Sequence, residues 1–312
     1  MLHNEVARID WISESLTDLV ILSMIYSYLG RSAKINIINK LISKRSYDLA
    51  SVNFLYGNFN IIYIKNGEYA VPSSIFSREM LKSLFRADRI KSVIENSFVK
   101  SSEFGNHEFS DFRRDVMQYG SLQRILVQPG GAPDLDSIIS LFRSFADTGI
   151  EKSNIHFWQQ YSIALYINGE YELSQRRLDT AKSLAREMSY YDTFMLDHHQ
   201  ARLLLVSRAR KTNEYKDHEE AYVEALQTAV RLISDPNRQT ERDTLYLSEH
   251  LGEAFAGEAL SIVRKSPRVS LALHAMLEAV SSRRPNASVG SGLLRRTVRD
   301  IRLALETLAP AE

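Results

Sequence analysis

The sequence predicts a mainly α-helical protein with one β-hairpin in its first third and a series of helical hairpins in its second half. Three observations support this. Apolar residues recur at spacings of three and four through most of the 312 residues. Asn66 and Gly67 lie between two β-prone runs, as in a tight hairpin turn. The stretch 156–185 contains two amphipathic patterns separated by a break at 168–170.

The first elements are short helices. Apolar spacing and capping residues predict three of them. The first is capped at Thr17 and Asp18 and ends at Leu29, and the second is capped by Ser32 and ends at Ile42. The third spans Ser46 to Leu55. Gly30 lies where a left-handed residue ends the first helix. The hairpin follows, with strands at 60–64 and 68–72. Three helices followed by a β-hairpin are typical of a winged-helix domain, which we place at 15–82, after an N-terminal segment 1–14.

A helical connector is predicted for 83–150. Apolar residues at helical spacing continue from Ser77 to about Ile125. A break rich in Pro and Gly follows at 128–133, and one more helix is predicted from Asp134 to Phe145.

The region 151–235 carries a repeat-like pattern. Trp158, Tyr161 and Leu165 lie on one face of a helix, with the small residue Ser162 where a second helix must approach closely. This pattern resembles the opening of a tetratricopeptide unit, which buries its apolar face only by stacking on neighbours. A second helical pair is predicted at 192–205 and 221–232. The resemblance implies a short α-solenoid.

The segment 236–312 is predicted to be a basic, helical cap. Helices are expected at 241–263, 269–280 and 294–308. From Arg264 to Arg302 nine Lys or Arg residues stand against two acids, a local balance of +7.

The repeat region carries a longer residue pattern, formed by Phe157, Trp158, Tyr161, Ala164, Leu178, Asp179, Ala181, Leu184, Ala185, Asp192, Thr193, Phe194, Asp197, His198, Ala201, Arg202, Leu204 and Leu205. With the preceding winged helix, this pattern is similar to the C-terminal half of STAND-type P-loop NTPases of bacteria and archaea, including members linked to antiviral defence. The resemblance implies that the winged helix packs on a nucleotide-binding domain and that the repeats sense a trigger.

The chain lacks the motifs of the common catalytic sites. It contains no G-x-x-x-x-G-K-[ST], H-E-x-x-H or G-x-S-x-G sequence, and no cysteine. Adjacent His198 and His199 point about 100° apart on a helix, so they cannot converge with Asp197 on one metal ion. We therefore predict a non-enzymatic protein without a cofactor or metal. It would be either free-standing or part of a longer or split system whose NTPase lies elsewhere.

Composition predicts a cytoplasmic protein without a membrane span. Hydrophobic residues make up 44% and charged residues 25%, with a net charge of +1. The longest apolar run, Leu19 to Leu29, has about half the length of a membrane helix. The first residues also lack the basic-then-apolar order of a secretory signal.

The predicted function is protein–protein recognition or sensing, with an NTPase or effector subunit as the partner. Trp158 and Tyr161 are expected in the core, and exposed residues of the first helix of each repeat are expected to bind the partner. The predicted partner-binding residues are Gln159, Gln160, Asn168, His198, His199 and Arg202.

The alternative is a nucleic-acid-binding winged-helix regulator. It would use Lys44, Arg45, Lys65, Arg295, Arg296, Arg299 and Arg302. The predicted third helix carries no Arg or Lys between Ser46 and Leu55, which disfavours major-groove reading.

Overall fold

The structure, a computed structural model, describes residues 14–42, 61–104, 106–128, 131–211, 215–235, 266–282, 299, 301–303 and 305–306. The chain folds as two compact units, Met1–Ala164 (unit 1) and Leu165–Glu312 (unit 2). The predicted helices at 46–55 and 241–263 lie outside the described residues.

Unit 1 is mainly helical, as the sequence predicts. Its elements in chain order are α1 (Glu14–Tyr28), α2 (Ile35–Leu41), β1 (Tyr63–Lys65), β2 (Glu68–Ala70), α3 (Ser74–Leu84), α4 (Ala87–Ser101), α5 (Asn106–Val116), α6 (Tyr119–Ile125), α7 (Leu135–Thr148) and α8 (Ile155–Ile167), whose last three residues belong to unit 2.

The hairpin of β1 and β2 confirms the prediction from the Asn-Gly pair. The strands are antiparallel, with Ile64 opposite Tyr69. Asn66 and Gly67 have φ values of 52° and 78°, so both occupy the left-handed region. Asn and Gly tolerate that region best, and the resulting turn matches the twist of the two strands.

A third segment runs beside β2 and joins the hairpin to the first helices. The Tyr69 backbone N–H donates to the Ala33 carbonyl oxygen at 2.9 Å, and Lys34 forms an isolated bridge with Glu68. The buried Tyr69 hydroxyl also donates to Asn39 Oδ1, at 3.0 Å, on α2. The hairpin is therefore tied to α2 by both backbone and side-chain contacts.

Two predicted helix starts were wrong. Thr17 lies within α1 and is buried, because the apolar surface of that helix extends one turn further toward the N-terminus than its capping residues indicate. Helix α2 begins after Lys34 and not at Ser32, because residues 33–35 are held extended against the hairpin.

An aromatic core fills the second half of unit 1. The rings of Phe98 on α4 and Phe145 on α7 stack at 3.8 Å between centroids. Phe142 stacks on Tyr161 of α8 at 5.4 Å. Trp158 and Tyr161 are buried, as their repeat-like spacing predicts. These rings stabilise the packing of α8 and leave little of its aromatic face for a partner.

Unit 2 includes the helices α9 (Tyr171–Arg186), α10 (Phe194–Lys211), α11 (Tyr215–Ser234) and α12 (Pro267–Ser282). Helix α10 runs antiparallel to α9 and to α11, since Gln200 contacts Gln175 while Asp197 contacts Lys182 and Arg231. Gly169, with φ of 81°, ends α8 at the predicted break. Helix α10 continues to Lys211, beyond its predicted end at residue 205, because Arg208 to Lys211 are good helix formers. Helices α10, α11 and α12 share a core that includes Tyr222, Leu226, Leu273 and Met276.

Candidate functional site

A groove of about 700 Å³ lies on unit 2, between α9, α10 and α11. Most of its lining is polar or charged. The lining residues are Tyr171, Glu172, Gln175, Arg176, Asp179, Lys182, Arg186, Gln200, Leu204 and Glu224. A cavity of this volume is in the range of ligand and peptide sites.

Helix α9 divides its residues between this groove and the core. Gln175, Asp179, Lys182 and Arg186 recur at spacings of four, three and four, so they form one polar stripe along the helix. A second stripe, of Ser174, Leu178, Ala181 and Ala185, is buried. The amphipathic pattern of α9 therefore orients its charged side chains into the groove.

Two glutamine amides form the floor of the groove. Gln175 Nε2 donates to Gln200 Oε1 at 3.0 Å, and Gln200 Nε2 donates back to Gln175 Oε1 at 2.9 Å. Gln175 Nε2 also donates to Asp179 Oδ1 at 2.7 Å. These bonds use both N–H groups of Gln175 but one of Gln200, and each Oε1 retains a second lone pair. The floor presents groups that a peptide backbone can pair with.

One end of the groove is basic. Asp197 Oδ1 lies 3.3 Å from Lys182 Nζ, and Asp197 Oδ2 lies 3.4 Å from an Nη atom of Arg231. This carboxylate thus connects α9, α10 and α11 at the end where Arg186 is exposed. Two cations share one carboxylate there, and Arg186 adds a third positive charge.

The other end of the groove is acidic. The contacts of Gln200 with Gln175 and of Asp197 with Lys182 and Arg231 show that α9 and α11 are both antiparallel to α10. Helices α9 and α11 therefore run in the same direction along the groove. Glu172, Leu204 and Glu224 line the end opposite to Lys182 and Arg186. The groove is therefore close to neutral in total charge but separates its charges along its length.

An aromatic cluster adjoins the acidic end through Tyr171. The Arg202 guanidinium lies over the Tyr166 ring at 4.9 Å from its centroid. His199 and Tyr171 meet the same ring edge-on, at 5.5 and 5.8 Å. Such cation–π and edge contacts fix the orientation of Arg202.

The predicted partner-binding residues have different positions in the structure. Asn168 and Arg202 are partly exposed in unit 2, and Asn168 Nδ2 donates to Glu170 Oε1 at 2.9 Å. Gln160, in unit 1, accepts a hydrogen bond from the Tyr119 backbone N–H at 3.0 Å through its side-chain oxygen.

We expected exposed positions for Gln159, His198 and His199, but the structure places them in the interior. All three are buried, with exposed fractions of 2–3%. The His198 ring stacks with Phe194, and His199 packs against Tyr166, so neighbouring aromatic residues cover both histidines. Sequence spacing placed them on a helix but could not show which neighbours cover that face.

The groove-lining residues of α9 were missed by the sequence analysis, which placed the contacts on the first helix of each repeat. A signal was present, since the polar residues at 175, 179, 182 and 186 share one helix face. A solvated helix face shows the same pattern, so only the approach of α10 and α11 distinguishes the two.

The residues of the nucleic-acid alternative are divided between the two units. Lys65 is exposed in unit 1, and Arg299 and Arg302 are exposed in unit 2. Lys44, Arg45, Arg295 and Arg296 lie outside the described residues.

In the part of the chain that the structure describes, no residue with a shifted pKa lines the groove. Burial raises the pKa of Tyr26 and of Tyr222 far above the ordinary value of a phenol. Burial lowers the pKa of His156, although a hydrogen bond with Gln159 opposes that shift. Among the described residues, no group of three His, Cys, Asp or Glu side chains could hold a metal ion.

A scan against family models, a search of curated proteins and a search of solved structures found no match to this chain. Within the described ranges, no helix has the length and apolar content needed to cross a membrane.

Proposed function

We propose that this protein is a non-catalytic recognition module whose groove on α9, α10 and α11 binds a segment of a partner protein. The observation that carries this proposal is the polar groove with its paired Gln175 and Gln200 floor. Amides and separated charges suit the backbone and side chains of a peptide. An apolar pocket with converging catalytic groups would have favoured a small-molecule enzyme instead.

The architecture supports the wider form of the proposal. We propose a winged-helix fold for 15–82, supported by the contacts of the hairpin with residues 33–35 and α2. We propose a tetratricopeptide-like solenoid for the repeats, supported by the antiparallel order of α9, α10 and α11. From the resemblance to STAND-type proteins, the module would be the regulatory part of a cytoplasmic signalling or antiviral defence system, with an NTPase or effector subunit as partner.

The proposal is tested by blocking the groove. Gln200→Tyr places a ring on the groove floor, and Gln227→Tyr places the same ring on an exposed part of α11 that does not line the groove. Both variants and the wild type serve as bait in nuclease-treated lysate of the source cell. Captured proteins are quantified by mass spectrometry, and circular dichroism verifies that the variants fold.

We expect a protein that the wild type and Gln227→Tyr capture equally and that Gln200→Tyr captures at least about tenfold less, which corresponds to a lost contact energy of about 1.4 kcal/mol. After purification, that protein should bind the wild type and Gln227→Tyr with similar affinity and Gln200→Tyr more weakly. Equal capture by all three baits would refute a role for the groove.

The second candidate function is nucleic-acid binding by the winged helix. The contact of Lys34 with Glu68 favours it, because that bridge sets the hairpin beside the helices with Lys65 exposed. Its test is fluorescence anisotropy with a labelled DNA duplex across a salt series. A steep loss of affinity with salt, reduced by Lys65→Glu, would support this function.

A further inference from the structure

The walls of the groove have the same charge order. On α9, Glu172 lies at one end and Arg186 at the other. On α11, Glu224 lines the groove, and the exposed Arg231 lies two helical turns further along the same face, outside the lining. Because α9 and α11 run parallel, Glu172 and Glu224 lie at one end and Arg186 and Arg231 at the other.

The helix dipole explains only part of this order. Acids favour the first turn of a helix and bases the last turn, which accounts for Glu172, Arg186 and Arg231. Glu224 lies in the middle of α11, where the dipole gives it no such advantage. The dipole therefore does not account for the contribution of Glu224 to the acidic end of the groove.

Some lining residues have a charge opposite to that of their end of the groove, but they do not cancel the difference in charge between the two ends. Arg176 lies near the acidic end, but Glu172 and Glu224 outnumber it. Asp179 lies near the centre and accepts a hydrogen bond from Gln175. Lys182 and Arg186 line the basic end, and Lys182 also contacts Asp197, which lies outside the lining. The lining is thus acidic from the Glu172 end to Asp179 and basic at the other end.

We propose that the groove recognises an extended peptide whose acidic and basic residues are segregated, with the acidic part at Lys182 and Arg186 and the basic part at Glu172 and Glu224. This inference rests on the proposed function and names the chemistry of its partner. From Glu172 to Arg186 the helix rises about 21 Å. An extended chain covers that length with about six residues, whose backbone would lie over the Gln175 and Gln200 amides.

The test uses fluorescein-labelled peptides of equal length and the intact chain. A segregated peptide has three Glu, a Ser-Gly-Ser spacer and three Lys. An interleaved peptide has the same residues with Glu and Lys alternating, and two further peptides replace all charges by Glu or by Lys. Affinities are measured by anisotropy at low and at high salt, because screening weakens exposed charge pairs.

We expect the segregated peptide to bind the wild type about fivefold to tenfold more tightly than the interleaved one. Arg186→Glu neutralises the basic end, which leaves the groove acidic in total, and should shift the preference to the all-Lys peptide. Glu224→Lys makes both ends basic and should shift it to the all-Glu peptide. Arg302→Glu and Glu278→Lys make the same charge changes at exposed sites outside the groove and should leave the preference unchanged.

Equal affinities for the segregated and interleaved peptides would overturn this inference. If Gln200→Tyr then abolished both, the groove would still bind peptides and the proposed function would survive. Failure of the wild type to bind any of the four peptides would also overturn the charge inference. In that case loss of partner capture by Gln200→Tyr would still decide the proposed function separately.

Discussion

The two units use their charged residues in opposite ways. In unit 1, Arg113 is almost fully buried, with its Nε 3.3 Å from Glu151 Oε1 and an Nη atom 3.1 Å from the Ser101 carbonyl oxygen. Arg31 Nε lies 2.7 Å from Asp115 Oδ2 and connects the end of α1 to α5. In unit 2, Arg186 and Glu224 are exposed on the groove walls.

The difference in burial suggests two roles, with the buried charges of unit 1 stabilising the fold and the exposed groove charges of unit 2 recognising a partner. A buried, hydrogen-bonded charge fixes the packing of its neighbours, because leaving it unpaired is costly. An exposed charge adds little to stability but remains available to a partner. We therefore expect substitutions of buried charged residues such as Arg113 to affect stability, and substitutions of the exposed groove residues Arg186 and Glu224 to affect binding.

The largest effect is expected for Arg113→Ala, which leaves Glu151 buried without its cation and should cost about 3–5 kcal/mol. Urea unfolding followed by tryptophan fluorescence measures this in unit 1, because both tryptophans, Trp11 and Trp158, precede residue 165. The control is Arg114→Ala, whose side chain is half-exposed, and it should cost less than about 1 kcal/mol. Equal losses for the two variants would contradict the scaffold role of Arg113.

A smaller effect on stability is expected for Asp197, the carboxylate of unit 2 that pairs with cations on two other helices. Asp197→Asn removes the charge that pairs with Lys182 and Arg231 and should cost about 1 kcal/mol. Hydrogen exchange of α10 measures the local loss. Asp179→Asn, at an exposed position of the groove, is the control and should change the exchange less. A greater change for Asp179→Asn would reverse this ranking.

Acid should weaken unit 1 through His156. Burial lowers its pKa from the ordinary value of 6.5, Arg114 lowers it further, and a hydrogen bond with Gln159 opposes the shift. Between the lowered pKa and 6.5, His156 is therefore protonated in the unfolded chain but mostly neutral in the folded chain. Stability should fall as the pH drops below 6.5 toward the lowered pKa. The difference in urea midpoint between wild type and His156→Gln, measured across this range, isolates the effect, and a constant difference would rule it out.

The smallest change in stability is expected for Arg186→Glu. This exposed substitution should alter the free energy of unfolding by less than about 0.5 kcal/mol while changing peptide preference. Ala185→Asp, one residue earlier, is the contrast, because Ala185 is buried and a carboxylate there would lose its hydration. Thermal melting followed by circular dichroism compares the two. Similar melting temperatures for both variants would show that α9 is not oriented as described.

Much of the fold was predictable because it depends on neighbours in the sequence. The Asn66-Gly67 turn, the end of α8 at Gly169 and the cap of α7 by Asp134 follow from local backbone preferences. The cap of α1 at Thr17 was predicted wrongly, since the same residue type also occurs buried within a helix.

The candidate site was less predictable than the fold. Of the residues proposed as contacts, Asn168 and Arg202 lie on unit 2 with partial exposure, and Arg202 contacts the Tyr166 ring near the groove. His198 and His199 are buried because the rings of Phe194 and Tyr166 pack against them. The groove itself depends on three helices whose lining residues are far apart in the chain.

The sequence by itself determined the helical period, the hairpin turn and the charge of each residue, because these depend on bonds and contacts within a few residues. The tertiary structure decided which charges are buried and which line a groove. Arg113 and Arg186 both lie on amphipathic helices, yet one meets Glu151 in the interior and the other remains exposed. A local apolar pattern indicates which face of a helix is buried, but only the packing of distant segments decides which charged side chains are covered as well.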